Sequence, residues 1–321
     1  VFLMPLQGVH KILISSWRVF FVCKHCKLYG RPNKSYNKLT KHFYAMKKIN
    51  ALLLLFLIFQ FLSFNSLGQT KAEMQHDKDK KDLDKEIFPG APLSDNYQFH
   101  FSIPFEEKFI KTRDGINLNA LLFKSDSSKG VIFYLHGNGD ALDKWGGAAK
   151  TYTALHYDIF MLDYRGYGKS EGTINSEKQV YDDVQDAYNF LMQSYPENNI
   201  IILGYSIGTA PAAMLASNNH PEKLILQAPY YSMTDLMQNL EPSIDTTIIS
   251  YKFNTYQFLQ KVSAPVIIFH GDSDELIYYG SSEKLKAFFK PGDELITLKG
   301  AGHSNMSKNK DYVEALKKIL Q

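Results

Sequence analysis

Ile200-Ile-Ile-Leu-Gly-Tyr-Ser-Ile-Gly-Thr-Ala-Pro-Ala-Ala-Met-Leu215 is the stretch that decides the fold. Its leading apolar run reads as a strand buried on both faces, and Gly204-Tyr-Ser-Ile-Gly208 breaks it. Thr209 to Ser217 then reads as a helix of small residues. A serine on so sharp a strand-to-helix turn sits in strained backbone with its hydroxyl pushed clear of the sheet. The flanking glycines are required because a β-carbon at either place would collide with the neighbouring strand or helix. The helix behind Ser206 aims its free N–H groups and positive dipole end at the spot where negative charge builds in acyl transfer.

Outward from this turn, the same alternation repeats. Phe105 to Lys111 and Ile116 to Phe123 read as a hairpin around Arg113-Asp-Gly115. Gly130 to Leu135, Tyr157 to Leu162, Lys223 to Gln227, Val266 to Phe269 and Glu294 to Leu298 are further apolar strands. Helical stretches lie between them at about Leu142 to Leu155, Glu177 to Tyr195, Ser281 to Phe289 and Lys308 to Leu320. The pattern predicts an α/β fold, a mainly parallel eight-stranded sheet with helices on both faces, opened by an antiparallel hairpin. In such sheets ligands gather beyond the C-terminal ends of the strands.

Four of those ends carry informative residues. Leu135 leads into His136-Gly-Asn-Gly-Asp140, Phe269 into His270-Gly-Asp-Ser-Asp-Glu275, Leu298 into Lys299-Gly-Ala-Gly-His-Ser304, and the fourth is the strand of Ser206. Ser206, then an acid, then His303 is the chain order nucleophile, acid, base that goes with a nucleophile elbow. A serine hydroxyl is a poor nucleophile until an imidazole within hydrogen-bond reach takes its proton, and a carboxylate on the other ring nitrogen fixes the tautomer. Backbone donors then hold the tetrahedral oxyanion, each worth roughly 3–4 kcal/mol. The expected donors are the N–H groups of Ile207 and of Asn138 or Gly139.

The sequence resembles the α/β-hydrolase superfamily from about Phe105 to the C-terminus. Within it, it is similar to the compact small-cap branch, the BEM46-like and ABHD13/ABHD17-like serine hydrolases. The resemblance rests on His136-Gly-Asn-Gly, Asp163-Tyr-Arg-Gly-Tyr-Gly-Lys-Ser-Glu-Gly172, Gly204-Tyr-Ser-Ile-Gly208, His270-Gly-Asp-Ser-Asp274 and Gly300-Ala-Gly-His303. It implies that the acid is Asp274, four residues after the motif histidine, with Asp272 as the rival. Only about 35 residues separate Ala228-Pro229 from Pro265, too few for a large helical lid, so a minimal cap and a shallow, open site are expected. Tyr230, Tyr231, Tyr251 and Tyr256 are candidates for lining an acyl groove or for packing the insertion. His136 and His270 read as structural histidines, and Asp163 to Gly172 as a structured turn with Arg165 in an internal ion pair.

Composition narrows the function classes. The net charge of +3 conceals an asymmetry: residues 1–68 hold ten Lys/Arg and no acid, leaving 26 Lys/Arg against 33 Asp/Glu from Gln69 onward. An acidic body argues against a nucleic-acid partner. His76, His100, His156 and His220 have no metal-ligand spacing, and no metal or organic cofactor is implied. Cys23 and Cys26 are the only cysteines, and the C-x-x-C lacks a second pair or a surrounding βαβ pattern.

Met46-Lys-Lys, the apolar run Ile49 to Phe64 and Ser66-Leu-Gly68 form the basic start, core and cleavage site of a secretory signal, spanning residues 46–68. Residues 1–45 read as a basic extension outside the natural product, or as a cytoplasmic tail ahead of a signal anchor. Residues 69–97, with the mixed-charge run Asp77 to Glu86, read as a polar linker, partly helical at most, and 98–321 as the hydrolase domain.

The expected function is an exported, monomeric serine hydrolase acting on a small-molecule or lipid-like acyl ester or thioester, with membrane contact only through residues 49–64 if these are retained. Two alternatives stand beside it. One is an aminopeptidase or amidase of the same fold, with Glu241 or Asp245 holding the free amine. The other is a non-catalytic binding protein that keeps the fold.

Overall fold

A computed structural model describes residues 73–321. The expected extension (1–45) and signal segment (46–68) lie outside the described residues.

The sheet has eight strands: β1 (Phe105–Lys111), β2 (Asn117–Phe123), β3 (Val131–Leu135), β4 (Asp158–Leu162), β5 (Ile200–Tyr205), β6 (Lys223–Gln227), β7 (Val266–Gly271) and β8 (Glu294–Leu298). Their spatial order is β8-β7-β6-β5-β3-β4-β2-β1. β1 pairs with β2 and β2 with β4 antiparallel; every other neighbour is parallel. The chain departs from the central β3 to β4 on one side and β5 on the other, which opens a crevice at the strand ends there.

The helices are α1 (residues 73–87), α2 (Leu142–Trp145), α3 (Ala149–Thr153), α4 (Glu177–Leu191), α5 (Thr209–Asn218), α6 (Met233–Leu240), α7 (Thr255–Leu259), α8 (Gly280–Leu285) and α9 (Lys310–Ile319). Side-chain alternation along β3 sorts its residues between two cores. Val131, Phe133 and Leu135 face α4 and α5 through Val184, Tyr188 and Ala212, whereas Ile132 and Tyr134 face Leu142, Tyr152, Tyr312 and Leu316 of α2, α3 and α9. Two-sided burial is why these strands carry unbroken apolar runs.

The expected single helix over Leu142 to Leu155 is broken. Gly146 and Gly147 begin a tight turn between α2 and α3, and a methyl group at Gly146 would come within 2.4 Å of the Phe101 ring. The insertion after β6 is small, holding α6, α7 and one short turn, as its length requires.

The expected polar linker is corrected. Residues 73–87 are helical, and the segment that follows is docked rather than free. Ile87 is buried in an apolar cluster with Ile207, Tyr230, Tyr251 and Phe253, and Phe88 meets the Tyr251 ring edge-on at 5.1 Å. Asp84 accepts a hydrogen bond from Ser250 at 2.8 Å. Leu83 and Ile87, one helical turn apart, are the stripe that the surrounding charges obscured. Among the described residues no helix is long and apolar enough to cross a membrane.

Candidate active site

Ser206 stands at the end of β5 with φ of 53°, a left-handed conformation that costs a residue with a side chain energy. The turn holds because its neighbours are glycines. A methyl group at Gly204 would lie 2.5 Å from Gly208 O, and one at Gly208 would lie 2.2 Å from Leu135 O. The chain therefore packs α5 directly against β3 and β5, with Ala212 and Ala213 at the contact.

The structure brings Ser206, His303 and Asp274 together. His303 Nε2 is 3.0 Å from Ser206 Oγ, and His303 Nδ1 is 2.8 Å from Asp274 Oδ2. With Nδ1–H donating to the carboxylate, Nε2 is left unprotonated to accept the serine proton. Oδ1 of Asp274 accepts the N–H groups of Leu276 (2.9 Å) and Ile277 (2.8 Å). Burial works to raise the Asp274 pKa, but hydrogen bonds from His270, His303 and Ile277 overcome it and hold the carboxyl well below the usual range. The rival Asp272 is exposed and accepts Gly300 N–H at 2.7 Å instead.

His270 is fully buried. Its Nε2 donates to Ile277 O at 2.8 Å and lies 3.3 Å from Asp274 Oδ2, while Nδ1 sits 2.6 Å from Ser282 Oγ. His136, also fully buried, holds the start of the glycine-rich loop: Nδ1 donates to Gly137 O, and Tyr164 donates to His136 O at 3.0 Å. Its Nε2 is 3.3 Å from Asp163, whose carboxylate also takes the Leu142 N–H at 3.1 Å. Burial pushes the Asp163 pKa up despite those partners. Asp163 thus ties the end of β4 to the glycine-rich loop and to the start of α2. The bend that follows needs glycine, since a methyl group at Gly168 would reach 1.8 Å from the Asp163 carboxylate. Arg165 makes the internal ion pair, forked onto Asp183 with both contacts at 2.6 Å and touching Asp114 at 2.7 Å.

The expected oxyanion donors separate. Ile207 is the second residue of the short helical turn Ser206–Gly208, in the first turn, where an N–H has no helical partner behind it. Asn138 lines the cleft beside Ser206, but the Gly139 N–H donates to Asn138 Oδ1 at 2.8 Å and is occupied. Asn138 is therefore the better placed of the two loop residues.

A cleft of about 1020 Å³ opens over Ser206 and His303, with Asn138, Trp145, Leu276 and Met306 among its walls. Of the two roles open to the tyrosines, lining a groove or packing the insertion, the second is the one seen: none of the four is among the cleft walls. Tyr230 is buried and donates to Ile207 O at 3.1 Å. Tyr231 and Tyr256 stack on each other, ring centroids 4.5 Å apart, against the α4–α5 core. In a short insertion an amphipathic ring contributes more by burial than by facing an open cleft. Glu241 and Asp245, the expected amine holders, bond locally to Ser243 and Thr247 and lie outside the cleft wall.

Trp145 and Tyr205 escaped sequence reading. Trp145 donates to Gly139 O at 2.9 Å and stacks on His136, and Tyr205 donates to His303 O. The signal available was position alone: Tyr205 is one of the two variable residues of the G-x-S-x-G turn.

The profile of the serine aminopeptidase S33 family matches residues 126–258. Alpha/beta hydrolase domain-containing protein 17C of Xenopus tropicalis is 32% identical over 221 residues, 65% of this chain and 68% of that protein. Protein 17B of Homo sapiens is 32% identical over 203 residues, covering 61% and 68%. Among solved structures, the esterase Pf2001 of Pyrococcus furiosus superposes with a TM-score of 0.58 at 17% identity, over 72% of this chain and 98% of that one. Est1E of Butyrivibrio proteoclasticus, solved with ferulic acid bound, gives 0.53 at 18% identity over 66% and 96%. At such identities the structures speak for the fold, while the curated relatives place the sequence: the chain belongs to the α/β-hydrolase superfamily, in its ABHD17-like branch.

Proposed function

We propose that the protein is a serine hydrolase cleaving carboxylic acyl esters or thioesters through an acyl-enzyme on Ser206. The observation that carries this reading is the contact chain from Ser206 Oγ through His303 to Asp274, opening into the cleft. Ser206 Oγ attacks the acyl carbon as its proton passes to His303 Nε2, and Asp274 stabilises the imidazolium. Ile207 and Asn138 N–H groups hold the oxyanion. His303 then protonates the departing alcohol or thiol. Water, deprotonated by the same imidazole, attacks the acyl-enzyme and releases the acid. The cleft's mix of aromatic, aliphatic and polar wall residues suits a small-molecule or lipid-like acyl substrate.

Labelling with a fluorophosphonate followed by peptide mass spectrometry tests the nucleophile. The adduct is expected on the peptide carrying Ser206, and a folded, unlabelled protein would remove the reading. The family profile's description favours aminopeptidase activity as the second reading. It requires turnover of aminoacyl amides that drops when the amine-holding acid is neutralised, and Glu241 and Asp245 do not supply that acid from where they stand.

A further inference from the structure

We propose that residues 83–93, which the sequence presents as linker, are a strap that positions the oxyanion loop, with Tyr167 as its counterpart on the domain. This inference rests on the serine-hydrolase reading. The side chain of Asn138 is gripped from three directions. Its Nδ2 donates to Glu86 O at 3.2 Å, and its Oδ1 accepts from Tyr167 Oη at 3.0 Å and from Gly139 N–H at 2.8 Å. One of those grips belongs to the strap itself, and another to a residue the strap holds.

Residues Ala91–Pro92 pair in parallel with Tyr167–Gly168. Ala91 N–H donates to Gly166 O at 3.1 Å and Leu93 N–H to Gly168 O at 2.8 Å. Burial pushes the Tyr167 phenol up to about 12, so it stays a hydrogen-bond donor to Asn138 throughout the working pH range. At the other end, Ile87 packs in one cluster with Ile207, the residue carrying the second oxyanion N–H, and Asp84 is tied to Ser250 of the insertion. Both expected oxyanion donors therefore lean on the same short segment. Gly90 sits between the two grips with φ of 72°, and a methyl group there would meet Gly166 O at 3.0 Å. The close approach of strap to domain is thus built on a glycine.

A loop that must hold a donor within fractions of an ångström of a developing charge loses rate when its support is loosened, while ground-state binding is little affected. The structural role and the positioning role differ in what they move. A strap that only adds stability changes the melting temperature and the fraction of active protein, not the turnover of each active site.

The test uses the full chain and p-nitrophenyl butyrate, with active sites counted by stoichiometric fluorophosphonate labelling. Tyr167→Phe removes only the hydroxyl, and Gly90→Val pushes the strap off. We expect kcat per labelled site to fall roughly tenfold in Tyr167→Phe and further in Gly90→Val, with KM unchanged, in line with loss of an interaction made in the transition state. The exposed Lys85→Ala is the control and should match wild type. If Gly90→Val does not fold, Tyr167→Phe still decides. Turnover per site within twofold of wild type in the folded variants overturns the strap proposal and leaves the hydrolase reading standing. A wild type that neither labels nor turns over removes the hydrolase reading, and the strap's role goes with it.

Discussion

At the scale of single residues, the site depends on which acid faces His303. Asp274 touches the imidazole at 2.8 Å, whereas Asp272 serves the loop through Gly300. Asp274→Asn should lower kcat by a factor on the order of a thousand or more while the fold persists, because the amide no longer selects the productive tautomer. Asp272→Asn should leave kcat near the wild-type value. The pair of steady-state measurements fails the account if the two variants behave alike. Ser206, His303 and the two aspartates were legible because each sits at a strand end within a short motif. The choice between the aspartates came from the family resemblance, which implies Asp274, the carboxylate that faces His303; two residues of spacing alone do not say which one turns inward. For Tyr230, Tyr231 and Tyr256 the choice between lining and packing stayed open for a related reason. A tyrosine has an apolar body and a polar tip, and sequence cannot tell a ring that lines a cleft from one that closes an insertion.

At the scale of elements, the elbow is a contact between backbones. A methyl group at Gly208 meets Leu135 O at 2.2 Å, so Gly208→Ala must move α5 away from β3. Urea unfolding should show a loss of about 1–3 kcal/mol, the usual cost of overpacking, together with weaker labelling of Ser206. Unchanged stability would mean that the helix does not pack as described. The edge of β4 carries a second test. Asp158 accepts from Lys124, from Tyr195 at 2.6 Å and from Ser125 N–H at 2.8 Å. Burial raises its pKa, and those three donors more than offset it, leaving the carboxyl below its ordinary value. A carboxyl depressed in the folded state contributes stability above the unfolded pKa of about 3.9. That contribution is lost as pH falls through the folded value. Asp158→Asn should therefore cost about 1–3 kcal/mol at pH 7, with the gap to wild type closing below about pH 4. A gap that stays constant across that range would contradict the assignment. The strands were readable because burial on both faces forces unbroken apolar runs. Helix α1 and its strap were not, because Leu83, Ile87 and Phe88 lie at the end of a dense run of alternating charge.

At the scale of the whole molecule, the eight-stranded order follows from strand and helix alternating in sequence with right-handed crossovers, and the short stretch after β6 limits the cap to α6 and α7. What the sequence left hidden is the docking of residues 83–93 beside the glycine-rich loop, since a pairing as short as Ala91–Pro92 with Tyr167–Gly168 has no periodicity to read. The most direct test of the central claim is hydrolysis of p-nitrophenyl esters, from acetate to palmitate, by the protein beside its Ser206→Ala variant. The account predicts turnover of at least one ester and a loss on the order of a thousandfold or more on removing the hydroxyl. Turnover that survives in Ser206→Ala, or a folded wild type inert toward every ester in the series, would contradict it.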